Sequence, residues 1–227
     1  MSIPPARKRI TKRVARVRIG IDEVGRAASL HARRASPNRR IHIGIDEVGR
    51  GALAGPVVLA AAVPECPVRW SHPILGRIRD SKKLTPRRRE AWFAYLTAHP
   101  AFRWRIARVG PGMIDRINIA RAANLAAHRL VKRTVSSHRR AFVWLDGGLI
   151  LPGHIPHRTL VKGDERKPLI AAASIVAKVW RDRYMARLAR EIPRYGFEIH
   201  KGYGTRYHRQ MLKRHGPSAV HRQSFLG

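Results

Sequence analysis

Cysteine is almost absent from this sequence of 227 residues, which contains one at Cys66. A lone thiol cannot form an internal disulfide, and it cannot supply a zinc site built from several cysteines. Disulfides belong to oxidising compartments, so their exclusion favours a reducing one, and we expect a cytoplasmic protein.

Long apolar runs are also missing. No stretch approaches the roughly 20 uninterrupted apolar residues that a membrane-spanning helix needs. The N-terminus is positively charged but lacks the apolar segment of a secretory signal. We therefore expect a chain without a membrane partner, and we expect it to be a monomer.

Acidic residues are scarce as well. The sequence has 14 Asp and Glu against 47 Lys and Arg, a formal net charge of +33 and an isoelectric point near 11.9. Such a chain attracts polyanions, which makes nucleic acid the leading partner. A compositional bias toward arginine, without functional meaning, is the alternative.

The basic residues are concentrated near the start of the chain. Residues 1–40 contain the runs "ARKRITKRVARVR" and "HARRASPNRR", with few large apolar side chains. This composition predicts a flexible N-terminal extension that adds contacts to phosphates. Residues 41–227 are expected to form the folded domain.

The pattern of apolar and polar residues changes at residue 41, after which patterns typical of strands alternate with patterns typical of helices. Thr85 and Pro86 predict the start of one helix, and a second is expected to break near Asn118. The predicted order is β-β-α-β-α-β-β-α-α, which indicates an α/β fold with a mixed sheet and helices on its faces. The predicted strands are "IHIGID", "GPVVLAAAV", "FRWRIARV", "AFVWLDG" and "RTLVKGD".

Four of the few acids are predicted at strand ends: Asp46, Glu47, Asp146 and Asp164. Strand ends gather in one crevice of an open α/β sheet, where clustered carboxylates repel one another unless they share a cation. Oxygen ligands without Cys or His favour a hard ion, Mg²⁺ or Mn²⁺. Taken singly, Asp146 could instead be a turn residue and Asp164 a helix cap.

An acidic cluster inside a basic protein suits phosphodiester cleavage. The basic shell holds the phosphate backbone, while the cluster holds two metal ions roughly 4 Å apart that activate water and stabilise the leaving oxygen. The sequence thus favours a metal-dependent nuclease.

Several motifs, in order along the chain, resemble those of ribonuclease HII, the type 2 ribonuclease H family. The resemblance implies an RNase H-like fold with a C-terminal helical segment, and a catalytic domain over residues 41–227. It implies hydrolysis of RNA in RNA·DNA hybrids and incision 5′ to single ribonucleotides in duplex DNA, leaving 3′-hydroxyl and 5′-phosphate ends. It also makes the same four acids the metal ligands. The motifs are "DEVGRGALAGPVV", "DSKKLTPRRRE", "IDRINIARAANLA", "LDG", "KGD", "AAASIVAKVWRDRYM" and "YGFEIHKGYGT".

The 2′-hydroxyl distinguishes RNA from DNA at a single position, so a protein group that recognises a ribonucleotide must approach that oxygen closely. Gly49-Arg50-Gly51 suits this because glycines let backbone groups approach a sugar without a Cβ clash. By the resemblance, this loop contacts the 2′-hydroxyl and phosphate, and Tyr203 stacks under the adjoining deoxyribose. A half-buried aromatic beside a turn is the alternative for Tyr203. Candidate phosphate contacts are Lys82, Lys83, Lys162 and Lys201.

Other polar residues are expected to be structural. Lys178 and Asp182 have the spacing of an ion pair on one helix face, so we leave Asp182 out of the metal site. The late histidines His200, His208 and His215 are likewise expected to have surface or structural roles rather than to bind metal.

The string "IGIDEVGR" occurs twice, at residues 19–26 and 43–50. The second copy continues into the glycine loop and a buried strand, whereas the first has Ala27 at the position of Gly51 and no strand pattern after it. We therefore assign the site to Asp46-Glu47 and regard Asp22-Glu23 as a truncated duplicate or as part of a misassigned start region.

Two other functions remain open at this point. One is a basic nucleic-acid-binding protein with an inactive site, which the charge alone would support. The other is a hybrid nuclease without preference for single ribonucleotides.

Overall fold

The computed structural model describes residues 24–26, 40–135 and 140–227. Its strands are β1 Val24–Arg26, β2 Ile41–Val48, β3 Val57–Pro64, β4 Ser71–His72, β5 Gly76–Arg77, β6 Phe102–Val109, β7 Ala141–Asp146 and β8 His157–Leu160. Six of them form the central sheet, in the order β1-β6-β3-β2-β7-β8, and β4 and β5 form a separate small hairpin. Strands β2, β3 and β6 pair antiparallel, while β2, β7 and β8 pair parallel, so the sheet is mixed as predicted.

Helices cover both faces of the sheet. Thr85 caps the first by accepting a hydrogen bond from the backbone N–H of Arg88, and Asn118 separates the second from the third, as predicted. The helices are α1 Pro86–Ala98, α2 Pro111–Ile117, α3 Ile119–Thr134, α4 Gly163–Arg166, α5 Pro168–Glu191, α6 Phe197–His200 and α7 Arg206–His215, with 3-10 turns at Ser81–Lys83, Pro193–Tyr195 and Gln223–Phe225.

The long helix α5 lies against the sheet face that carries the candidate site. A Cβ on Gly44 would lie 2.4 Å from the carbonyl oxygen of Leu169, so glycine is required for the first turn of α5 to approach β2. The opposite face packs on α3 through alternating residues such as Ile43, Ile45 and Val143. Because side chains alternate along a strand, Asp46 and Asp146 face α5.

An apolar cluster separate from the packing on the two sheet faces holds the C-terminal helical segment against the end of α5. Met185 and Leu188 of α5 pack there with Tyr195, Phe197 and Val220. The helical C-terminal segment that the sequence predicted is therefore confirmed.

Within the described residues, we find no helix with the length and apolar character required to span a bilayer.

The first copy of the repeated string is described in part. Val24–Arg26 pairs antiparallel with β6 at the edge of the sheet, with Val24 opposite Arg105. Asp22-Glu23, and the predicted extension apart from residues 24–26 and Arg40, lie outside the described residues.

Candidate active site

Three of the four predicted acids meet at the end of two neighbouring strands. Ile45 of β2 pairs with Leu145 of β7, so Asp46 and Asp146 stand side by side one residue further on. Asp46, Glu47 and Asp146 each offer a carboxylate oxygen, and these oxygens lie within 4.8 Å of one another. We call these three residues the acidic cluster.

Asp164 is placed differently from the prediction. We expected it to end the fifth strand, but β8 ends at Leu160 and Asp164 lies in the first turn of the short helix α4. Lys162, in the left-handed conformation with φ 52°, turns the chain out of the strand direction. The backbone N–H of Gly163 then donates to Oδ1 of Asp146 at 2.7 Å, which holds α4 beside the cluster.

Burial and mutual repulsion disfavour the charged forms of these acids. Asp46 is 5% exposed, and its burial, reinforced by Glu47 and Asp146, raises its pKa well above the usual range. Burial likewise raises the pKa of Glu47, against the opposing effect of Arg50. Burial, with the nearby Asp80, raises the pKa of Asp164 to about 6. Carboxylates in this state are stabilised by a shared cation.

Two polar residues that the sequence did not single out contribute to this environment. Asp80 caps the Ser81–Lys83 turn by accepting from the backbone N–H of Lys82 at 2.9 Å, and it lies close enough to Asp164 to raise its pKa. Ser174 of α5 hydrogen-bonds Asp46 and lies 2.8 Å from the hydroxyl of Ser81. Both could have been found in the sequence. Asp80 begins the motif "DSKKLTPRRRE", and Ser174 lies on the same helix face as Lys178 and Asp182, four and eight residues before them.

The loop Gly49-Arg50-Gly51 follows the cluster directly. Nη1 of Arg50 donates to Oε1 of Glu47 at 3.2 Å and to the carbonyl oxygen of Gly148 at 3.3 Å, which ties the loop to the ends of β2 and β7. Gly49 has φ 87° and lies against Arg181, whereas a Cβ on Gly51 would meet nothing within 4 Å. Gly51 therefore leaves open space on the outer side of the loop.

Tyr203 lies beside this loop. Ala52 pairs with Tyr203 in an antiparallel bridge, and the N–H of Leu53 donates to the carbonyl oxygen of Gly202 at 2.9 Å. The Tyr203 ring is half-buried, with the guanidinium carbon of Arg181 5.3 Å from its centroid. The structure thus brings together the loop and the tyrosine that the sequence selected.

The candidate lysines have different surroundings. Burial acts to lower the pKa of Lys82, but the neighbouring Asp80 and Asp46 outweigh it and raise that pKa, so this side chain faces the acids. Lys162 is exposed where the chain enters α4. Lys83 pairs with Glu165 at 2.9 Å. On α5, the predicted pair of Lys178 with Asp182 is confirmed at 2.6 Å, so Asp182 has a structural partner.

Comparison with known proteins agrees with this geometry. The sequence model of one protein family, Ribonuclease HII, matches residues 43–226. The Ribonuclease HII of Pelodictyon phaeoclathratiforme is 45% identical over 181 residues, covering 77% of this chain and 84% of that protein. The Ribonuclease HII of Chlorobium luteolum is 45% identical over 179 residues, covering 77% and 83%.

Among solved structures, the PCNA:RNase HII complex from Archaeoglobus fulgidus matches with a TM-score of 0.66 at 26% identity, covering 81% of this chain and 94% of that one. The extent of these matches and their agreement on one name establish the family. The chain belongs to the ribonuclease HII family and is an endoribonuclease with the RNase H-like fold.

Proposed function

We propose that this chain hydrolyses the RNA strand of RNA·DNA hybrids and nicks duplex DNA 5′ to a single embedded ribonucleotide. The products would carry 3′-hydroxyl and 5′-phosphate ends. The observation that supports this most is the acidic cluster of Asp46, Glu47 and Asp146 directly beside the Gly49-Arg50-Gly51 loop. The cluster suits phosphodiester chemistry, and the loop leaves space at Gly51 for a ribose.

The residues present fit a hard divalent cation, which we propose to be Mg²⁺ or Mn²⁺, with two ions in the substrate complex. The cluster offers carboxylate oxygens, and Oε2 of Glu47 is buried without a hydrogen-bond partner among the described residues. Asp46, Glu47 and Asp146, with Asp164 beside them, would hold the ions. Bound there, the metal would lower the pKa of water and neutralise charge on the phosphate.

The remaining residues have binding roles in this proposal. Arg50 orients Glu47 through its hydrogen bond to Oε1 and presents the loop to the ribose. Lys82 and Lys162 contact phosphates on either side of the cluster, as positioning rather than sequence-reading contacts. Tyr203, next to Ala52, stacks under the neighbouring deoxyribose.

The proposal is tested with a DNA duplex that contains one ribonucleotide, incubated with Mg²⁺ or with Mn²⁺. We expect a single nick on the 5′ side of the ribonucleotide. Asp46→Asn should lose at least about 100-fold in rate, since it removes a ligand charge from the centre of the cluster. The matched control is the double variant Asp22→Asn/Glu23→Gln in the first copy of the string, which should cut like the wild type. Cutting by Asp46→Asn at the wild-type rate would refute the assignment.

A continuous RNA·DNA hybrid separates this function from that of a nuclease without preference for single ribonucleotides. Cleavage of the continuous hybrid at least as fast as that of the single-ribonucleotide duplex would establish the broader activity. Binding without cleavage of either substrate in both metals would establish a nucleic-acid-binding protein with an inactive site.

We also propose a monomeric enzyme of the cytoplasm. The single cysteine, Cys66, supports a reducing compartment. Sedimentation equilibrium should give a mass near 25.7 kDa.

A further inference from the structure

Two arginines lie fully buried beneath the Gly49-Arg50-Gly51 loop. Arg181 of α5 and Arg222 near the C-terminal 3-10 turn are both 0% exposed. Among the described residues, neither forms an ion pair with a carboxylate. A buried charge without a counter-charge is costly unless hydrogen bonds satisfy it, so their partners indicate their role.

The partners of Arg222 are backbone carbonyls of the loop. Nη2 donates to the carbonyl oxygen of Gly49 at 2.6 Å, and Nη1 donates to that of Arg50 at 2.7 Å. Nε and Nη2 both donate to the carbonyl oxygen of Gly55, at 3.1 and 3.0 Å. One guanidinium therefore joins both ends of the turn between β2 and β3.

Arg181 supports the same turn from the other side. It donates to the carbonyl oxygens of Ala54 at 3.1 Å and Pro56 at 3.0 Å. A third bond, from Nη1 to the carbonyl oxygen of Lys201 at 2.9 Å, extends to the segment that carries Tyr203. The two arginines thus connect the ribose-facing loop to the tyrosine segment.

This arrangement determines which way the loop amides point. In a trans peptide the C=O and the N–H of one unit point in opposite directions, and no described peptide is cis. The carbonyls of Gly49 and Arg50 face the buried Arg222, so the N–H groups of Arg50 and Gly51 face away from the interior. Within the described residues, neither N–H donates a hydrogen bond. Successive free N–H groups of this kind form a concave site for anions and oxygen acceptors.

We propose that Arg222, assisted by Arg181, is a positioning residue that holds the loop so that the N–H groups of Arg50 and Gly51 face the ribonucleotide. The inference rests on the proposed function of this loop, and it adds the element that sets the loop's conformation. The segment that carries Arg222 is itself fixed, since Asp115 accepts hydrogen bonds from the N–H groups of Gln223 and Ser224, both at 3.1 Å.

A merely structural role for Arg222 would have a different consequence. Its loss would then lower stability and affect every duplex equally. A positioning role affects the discrimination between ribonucleotide and deoxyribonucleotide, because the backbone N–H groups contact the ribose while other groups bind the shared phosphates.

The test uses the full chain with Arg222→Lys, which keeps the positive charge but loses the planar fork of donors. The control is Tyr195→Phe, which removes a hydrogen bond of 2.7 Å to the carbonyl oxygen of Gly216 in the same C-terminal segment without touching the loop. Binding is measured by fluorescence anisotropy without divalent metal, on a duplex with one ribonucleotide and on the same duplex in DNA alone. Arg222→Lys should reduce the affinity ratio by about tenfold, the effect of one hydrogen bond from the loop to the ribose, and leave the all-DNA affinity unchanged.

Amide hydrogen exchange of the peptide over residues 49–55, measured without nucleic acid, provides a second readout. Exchange should be faster in Arg222→Lys and unchanged in Tyr195→Phe. Wild-type exchange together with a wild-type affinity ratio in folded Arg222→Lys would overturn the proposal. If Arg222→Lys does not fold, Arg181→Lys carries the same pair of measurements. If the wild type shows no ribonucleotide preference, the proposed function fails, and the exchange experiment still decides whether Arg222 holds the loop.

Discussion

At the scale of single residues, the two glycines of the loop serve different purposes. Gly49 is required by the fold, because φ is 87° and a Cβ there would lie 2.2 Å from Nε of Arg181. Gly51 is exposed, has no left-handed φ, and a Cβ would meet nothing within 4 Å. The fold alone does not require glycine at position 51, whereas a closely approaching sugar would.

This difference predicts opposite outcomes for two matched substitutions. Gly49→Ala should lower the free energy of unfolding by about 1–3 kcal/mol, because the left-handed backbone and the contact with Arg181 are both strained. Gly51→Ala should change it by less than about 0.5 kcal/mol and still reduce nicking at a single ribonucleotide. Urea denaturation and the nicking assay measure the two effects. Equal destabilisation by both variants would contradict this division of roles.

At the scale of elements, a buried histidine cluster joins α6, α7 and the C-terminal turn. His200 and His208 stack with ring centroids 4.2 Å apart, and Nε2 of His208 lies 3.1 Å from Nε2 of His221. Nδ1 of His208 bonds the carbonyl oxygen of Tyr203 at 2.9 Å, and the N–H of Gly202 donates to Nδ1 of His200 at 3.1 Å. The cluster therefore fixes the turn that carries Tyr203, in line with the structural role expected for His200 and His208.

The cluster predicts a loss of stability in mild acid. Burial, with the neighbouring histidines, lowers the pKa of His208 and of His221 to about 4. In the unfolded chain a histidine has a pKa near 6.5, so between pH 6.5 and 4 the unfolded state binds protons that the folded state excludes. Above about pH 6.5 both histidines are neutral in both states, and the free energy of unfolding has its full value. By pH 5 it should fall by up to about 2 kcal/mol per histidine.

Urea denaturation of the wild type at several pH values between 4.5 and 7.5 measures this slope. The double variant His208→Gln/His221→Gln should flatten it, whereas His154→Gln, at an exposed position, should leave it unchanged. A pH-independent stability of the wild type over this range would contradict the lowered pKa values, because it would mean that the folded and unfolded states bind the same number of protons.

At the scale of the whole molecule, charge is the dominant property. Residues 1–40 carry 12 Lys and Arg against 2 acids, and the acidic cluster lies within a chain of net charge +33. A polyanion is therefore attracted to the chain as a whole, while the clustered acids need cations locally. Attraction of this kind depends on counterion release and weakens as salt increases.

Deleting residues 1–40 should therefore weaken duplex binding most at low salt and reduce the slope of log affinity against log salt. The position of the nick should not change, because the acidic cluster and the loop lie in residues 46–146. Anisotropy titrations between 50 and 300 mM salt, with the nicked product sized on a gel, measure both quantities. The control is the full chain with Asp22→Asn/Glu23→Gln. Equal binding by the deleted and full chains at low salt would contradict a phosphate-binding role for the extension.

Much of the fold, and the meeting of three candidate acids at the strand ends, could be predicted from the sequence. Strand and helix periodicity predicted the mixed sheet with flanking helices, because both patterns are local. The acids were readable because only 14 are present and those at strand ends converge by the geometry of the sheet. Local interactions could also be predicted, because each spans four residues or fewer. They are the caps formed by Thr85 and Asn118 and the ion pair of Lys178 with Asp182.

Other features became apparent only in the tertiary structure. Asp164 lies outside the predicted strand because Lys162 adopts a left-handed conformation, and the N–H of Gly163 then donates to Oδ1 of Asp146, 17 residues away in sequence. The roles of Arg181 and Arg222 depend on backbone carbonyls up to 173 residues away in sequence. Every residue has a backbone carbonyl, so the partners of these arginines are not marked by any residue type. They can be identified only once the folded chain brings them together.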